Sequence, residues 1–178
     1  KLQAIPDFLT YKEKLRNYLR KMEELMAEGI GLYLWSDENS TGKTSAAVLI
    51  VKQAIRLRKT VFFEESDRLK SALMRSEYFE ENVTLEDRVR TVDLLVLDDV
   101  GKEYRTETGY AENRIESILR DRSQNLRVTV ITSNIAPGSI EKVYSPDLSA
   151  LLRETTIPVE VTGYDWRAEK AKILKGLL

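Results

Sequence analysis

Cysteine and histidine are both missing from the 178 residues. Their absence excludes disulfides, zinc fingers and histidine-dependent serine or cysteine catalysis, and it fits a reducing cytoplasm. Net charge is nearly missing as well: 28 basic side chains stand against 29 acidic ones, so charge alone indicates no nucleic-acid partner. No apolar run approaches the roughly 20 residues of a membrane span, and no signal peptide is visible. No membrane partner is expected. The length suits one domain over 1–178 with a single substantial core. The chain opens at Lys1 rather than Met, which fits a trimmed piece with further sequence upstream.

What is present is a regular alternation. "YKEKLRNYLRKMEELM" carries Leu15, Tyr18, Leu19, Met22, Leu25 and Met26 at a helical period, making 1–28 a helical lead-in. Short apolar runs read as strands in "GIGLYLWS", "TVFFEE", "VDLLVLDDV", "LRVTVITSN" and "IPVEVTG". Helical stretches separate them: one from Gly42, one behind a capping Ser66, then "AENRIESILRDRSQ" and "LSALLRE". A closing helix is expected over 165–178. This order predicts an α/β domain whose central sheet is mostly parallel, with its site beyond the carboxyl ends of the strands.

The chemistry falls at those ends. "DENSTGKT", residues 37 to 44, carries the tail of the phosphate-loop pattern G-x-x-x-x-G-K-[ST], but Asp37 stands in place of the opening glycine. In this reading Asp37, Glu38, Asn39, Ser40, Thr41, Gly42, Lys43, Thr44 and Ser45 wrap a nucleotide's phosphates. Lys43 reaches the terminal phosphates, Thr44 holds Mg2+, and the helix offers its N-terminal amides. A polar loop capping a helix would explain the same residues. "LLVLDDV" weighs against that, because an apolar strand delivering a carboxylate is what a Walker B strand looks like. Asp98 would hold Mg2+ through water and Asp99 would orient or deprotonate the attacking water. An acidic turn after a strand is common, but its pairing with a phosphate-loop tail roughly 55 residues upstream is not. "VITSN" then places Asn134 where a neutral amide can meet the γ-phosphate and that water.

"VDLLVLDDVGKE", "NRIESILRDR", "VTVITSN" and "IPVEVTGYDWR" together resemble the AAA+ ATPase core of bacterial and phage helicase loaders. This is the DnaC/DnaI type, to which the IstB transposition ATPases are also similar, and the resemblance runs from about Ile5 to Arg167. It implies a P-loop NTPase of the ASCE/AAA+ class, three-layered, with strand order 5-1-4-3-2 and a reduced or absent lid. ATP or ADP with Mg2+ is the implied cofactor, with Asn134 as sensor 1 and Arg167 as a sensor-2-like residue. The implied partners are a replicative ring helicase, met largely through an upstream region, single-stranded DNA, and further copies of the chain in a homo-oligomer.

Two departures qualify this. The family's loop reads G-x-x-G-x-G-K-[TN], and Asp37 and Ser40 fill its first two glycine positions. The arginines that reach a neighbouring subunit's ATP have only Arg153 as a counterpart, and a solvated helix-end charge is the simpler explanation of that residue. The basic stretches "RLRK" and "ILRDRSQNLR" lack aromatic alternation and read as solvated faces. Three alternatives stay open: a pseudo-ATPase that recruits a partner, an IstB-like transposition ATPase, and a small-molecule kinase. The kinase is disfavoured because neither an acceptor site nor an arginine-rich lid is visible.

Overall fold

A computed structural model describes residues 10–75, 83–101, 110–142 and 144–163. The expected closing helix, its lid and Arg167 lie outside them. The lead-in forms two helices rather than one, α1 (Tyr11–Arg20) and α2 (Met22–Ala27), parted at Lys21. Thr10 starts α1 with a reciprocal cap: its hydroxyl accepts from the Glu13 amide while the Glu13 carboxylate accepts from the Thr10 amide. The chain continues through β1 (Gly31–Trp35), α3 (Lys43–Arg56), β2 (Val61–Glu65), α4 (Ser66–Arg75) and α5 (Val83–Thr91). It then forms β3 (Leu94–Val100), α6 (Tyr110–Gln124), β4 (Val128–Ser133), a 3-10 turn (Pro137–Lys142), α7 (Pro146–Thr155) and β5 (Thr156–Glu160). Ser66 is not the cap expected of it. It is the first residue of α4, and its buried hydroxyl has no partner among the described residues.

The five strands pair in the order β2-β3-β4-β1-β5, every pairing parallel, which is the expected 5-1-4-3-2 read from the other edge. Successive side chains of a strand point to opposite faces, so Leu94 and Val96 pack with α1–α3 while Leu95 and Leu97 pack with α4–α7. Near-continuous apolar runs such as "LLVL" follow from burial on both faces. Pro158 sits in β5 at a sheet edge, where a missing N–H costs least.

The second face is tied by arginines. Glu86 accepts from Arg90 at 3.0 Å and from Arg114 at 2.7 Å, and Arg114 also donates to the Leu73 carbonyl at 2.7 Å. This joins α4, α5 and α6. Burial raises the pKa of Glu86, but the two arginine hydrogen bonds outweigh it and hold the carboxyl below its ordinary value. Its stabilisation is therefore complete above the ordinary carboxylate range and lost as pH falls through the lowered folded value. The thermal-midpoint gap between the parent and Glu86→Gln should shrink as pH drops below about 4. A gap of constant size would refute this linkage.

Arg122, on a stretch expected to be solvated, is fully buried. Its guanidinium donates to the carbonyls of Val89 (2.7 Å), Val92 (2.9 Å) and Val128 (2.6 Å) and to the Thr129 hydroxyl (3.1 Å). Burial, then the nearby Arg127, push its pKa down to about 9 against the pull of Asp93, leaving it charged at neutral pH. Two of those carbonyls flank the C-terminus of α5, the negative end of the helix dipole.

Candidate nucleotide site

β1 runs into the loop 36–42, and Gly42, at φ 99°, caps α3 from the left-handed region. Ser40 takes φ 61°, so the second missing glycine falls where a glycine conformation is in fact required. The strain expected of this position is present, about 1–2 kcal/mol for an L residue. Asp37, Glu38 and Asn39 are exposed at the loop tip, Ser40 is half-buried and Thr41 is buried. A Cβ on Gly163 would lie 2.8 Å from the Thr41 carbonyl, so the segment after β5 closes tightly on this loop.

Lys43 is 6% exposed, and its ammonium donates to the carbonyls of Glu38 (2.8 Å) and Ser36 (3.4 Å). The lysine thus folds over its own loop. Thr44 donates to both carboxylate oxygens of Asp98 at 3.1 Å, joining the start of α3 to β3. Asn134, one residue past β4, donates its side-chain amide to Asn39 at 3.2 Å, so it meets the loop tip. Thr44 and Ser45 open the first turn of α3 and are exposed, where helix amides lack intrahelical acceptors.

The two acids sit in an irregular part of the sheet. Leu97 pairs with Ile131 and Val100 with Ser133, so Asp98 and Asp99 together oppose the single residue Thr132. That is a β-bulge, a device that re-aims side chains beside functional sites. Asp99 takes φ 58°, and its amide donates to the Thr132 hydroxyl at 2.9 Å. That hydroxyl donates in turn to Asp98 at 2.5 Å. Sequence reasoning missed Thr132, because threonine inside a strand signals only β propensity.

Arg153 is exposed on α7 and lines a separate cleft with Tyr33, Pro137 and Leu152. The structure does not bring it to the loop, the acids or Asn134.

The residues fit Mg2+ and a phosphate ligand. Mg2+ takes one or two protein oxygens and completes its shell with phosphate and water, and no larger cluster of acids exists among the described residues. Thr44 and Asp98 supply such a pair. Among the described residues Thr41 Oγ1 and Asn134 Oδ1 are buried without hydrogen-bond partners, as polar atoms that a ligand or its water would satisfy.

A model of the family described as IstB-like ATP binding protein matches residues 35–153. The chain belongs to this family. That stretch runs from the end of β1 into α7 and contains the loop, both acids, Thr132 and Asn134. No curated protein matches the sequence. Among solved structures, this IstB-like chain superposes on the DnaC helicase loader with a TM-score of 0.73 at 21% identity, over 84% of this chain and 86% of that one. DnaI matches with a TM-score of 0.71 at 21% identity, over 91% and 87%. A DNA replication initiation factor matches with a TM-score of 0.71 at 19% identity, over 97% and 52%, so this chain spans about half of its length. At such identities the likeness establishes the fold: this is a P-loop domain of the AAA+ type. No helix among the described residues is long and apolar enough to cross a membrane.

Proposed function

We propose that the domain binds ATP with Mg2+ between the loop 37–45 and β3, hydrolyses it slowly, and serves DNA replication by recruiting or loading a ring helicase. The carrying observation is the convergence of Lys43, Thr44, Asp98, Asp99 and Asn134 from three separate elements. Lys43 exchanges the carbonyls of Glu38 and Ser36 for phosphate oxygens. Thr44 and Asp98 hold the metal, which when bound supplies charge neutralisation on the phosphates. Asp99 takes the proton of the attacking water, and Asn134 uses its unpartnered oxygen to orient that water. The likeness to the DnaC helicase loader and to a DNA replication initiation factor supports the replication role. Membership of the IstB-like family supports a second reading, an ATPase acting in transposition, through the resemblance to the IstB transposition ATPases.

The two lost glycines act differently. Ser40 already bears its positive φ, so Ser40→Gly should raise folding stability by about 1–2 kcal/mol and leave affinity nearly unchanged. Asp37 is exposed and places a negative charge near an anionic ligand. Asp37→Gly should tighten ATP binding about 3- to 30-fold at low salt, with the gain fading as salt rises. Calorimetry and thermal melts separate the two effects; affinity gained by Ser40→Gly alone would show that the loop must reshape to bind.

For the DNA role, a single-stranded oligonucleotide should bind weakly, more tightly with ATP than with ADP, and less tightly as salt rises. Fluorescence anisotropy reads this directly. Identical binding in every nucleotide state would favour a partner-recruiting module that does not turn over.

A further inference from the structure

We propose that Thr132 is a positioning residue that sets both acids of β3 through one hydroxyl. This inference rests on the nucleotide reading above and adds a residue to it. Thr132 is completely buried in β4, where it opposes the bulged pair Asp98–Asp99. Its Oγ1 spends its proton on Asp98 Oδ1 (2.5 Å) and its lone pair on the Asp99 amide (2.9 Å).

Each half of that relay has a separate consequence. The carboxylate of Asp98 accepts from two hydroxyls, Thr44 and Thr132. A hydroxyl that coordinates a metal uses a lone pair and keeps its proton, so Thr44 could hold Mg2+ and still donate to Asp98. Thr132 is the second and shorter of these two donors, at 2.5 Å against 3.1 Å, and would steady the carboxylate with or without a metal. It pins Oδ1, which leaves Oδ2 aimed toward Thr44 and the loop. The other half secures Asp99. A non-glycine residue at φ 58° lies in a region that costs about 1–2 kcal/mol, and it persists only where its surroundings hold it. The Thr132 oxygen holds the Asp99 amide in that conformation and so fixes where its carboxylate stands. Within β4, Ser133 repeats the device one residue on, donating to the Val100 carbonyl at 2.7 Å, so the bulge is clamped on both sides.

Three variants test this in the full chain. Thr132→Val keeps the shape and removes the hydroxyl, Thr132→Ser keeps the hydroxyl, and Lys43→Ala disables the nucleotide site by another route. A fluorescent ATP analogue is titrated in EDTA and over a range of Mg2+. Removing a partner that orients a metal ligand typically costs about 10- to 100-fold in metal affinity or activity. Thr132→Val should raise the half-saturating Mg2+ at least about tenfold while binding in EDTA stays within about twofold of the parent. Thr132→Ser should restore the parent's Mg2+ dependence. In the ligand-free protein, hydrogen exchange at the Asp99 amide should be slow in the parent and in Thr132→Ser, and fast in Thr132→Val.

A merely structural threonine would lower the thermal midpoint without changing the ratio of Mg2+ to EDTA binding. If Thr132→Val does not melt cooperatively, Thr132→Cys carries the same comparison, with a weaker donor and an intermediate Mg2+ shift expected. A parent that binds in a manner Lys43→Ala abolishes, but whose Mg2+ response survives loss of the hydroxyl, overturns this inference alone. A parent that binds no nucleotide overturns both this inference and the function on which it rests.

Discussion

Asp99→Asn should lower ATP turnover by about 10²- to 10⁴-fold while leaving Mg2+-dependent nucleotide binding nearly unchanged, the size expected for loss of a general base. Asp98→Asn should do the reverse in order of effect, weakening Mg2+-dependent binding first. The separation follows from how the two adjacent acids are held. Asp98 is 6% exposed and accepts hydrogen bonds from Thr44 and Thr132, so its oxygens are committed to the place where the metal fits. Asp99 is half-buried, and at the bulge its backbone takes φ 58°, so the two carboxylates are held in different ways. Steady-state phosphate release and calorimetry on the same preparations separate the outcomes. Equal loss of binding in both variants, or unchanged turnover in Asp99→Asn, contradicts the assignment.

Arg122→Met should cost about 3–5 kcal/mol of folding stability, since it strips the donor from several buried acceptors at once. The carbonyls of Val89, Val92 and Val128 and the Thr129 hydroxyl would then stay buried without the guanidinium that satisfies them. Those groups end α5 and begin β4, so the loss falls on the junction that aligns the sheet's second face. Arg122→Lys should recover only part of it, because one ammonium cannot reproduce the planar fork. Urea unfolding reads the difference. A midpoint shift worth less than about 1 kcal/mol in Arg122→Met would show that water replaces the guanidinium there.

The strands were legible because both faces of a parallel sheet are buried, and runs such as Leu94–Leu97 betray that directly. The places of the loop, Asp98 and Asn134 near the carboxyl ends of β1, β3 and β4 were legible because their order along the chain is tied to the order of strands. The strand order itself came from the family resemblance, and the sheet bears it out. Helix α5 escaped notice because "VTLEDRVRT" is short and dominated by charges, two of which, Glu86 and Arg90, form ion pairs with Arg114 and Asp121 of α6. Arg122 escaped for a related reason: within "ILRDRSQNLR" nothing local separates a guanidinium that ends in solvent from one that ends on carbonyls. The break at Lys21 was hidden by an apolar period that continues through both helices. Thr132 was hidden because its role depends on a bulge in the neighbouring strand, a property of pairing rather than of sequence.

The account turns on Lys43 leaving the carbonyls of Glu38 and Ser36 for a phosphate. Calorimetric titration of ATP with Mg2+ into the parent and into Lys43→Ala tests this most directly. The account predicts saturable one-to-one binding by the parent and a loss of at least about tenfold in the variant, or about 1.4 kcal/mol. Binding that survives Lys43→Ala undiminished, or no binding by the parent and none by Asp37→Gly, would contradict it.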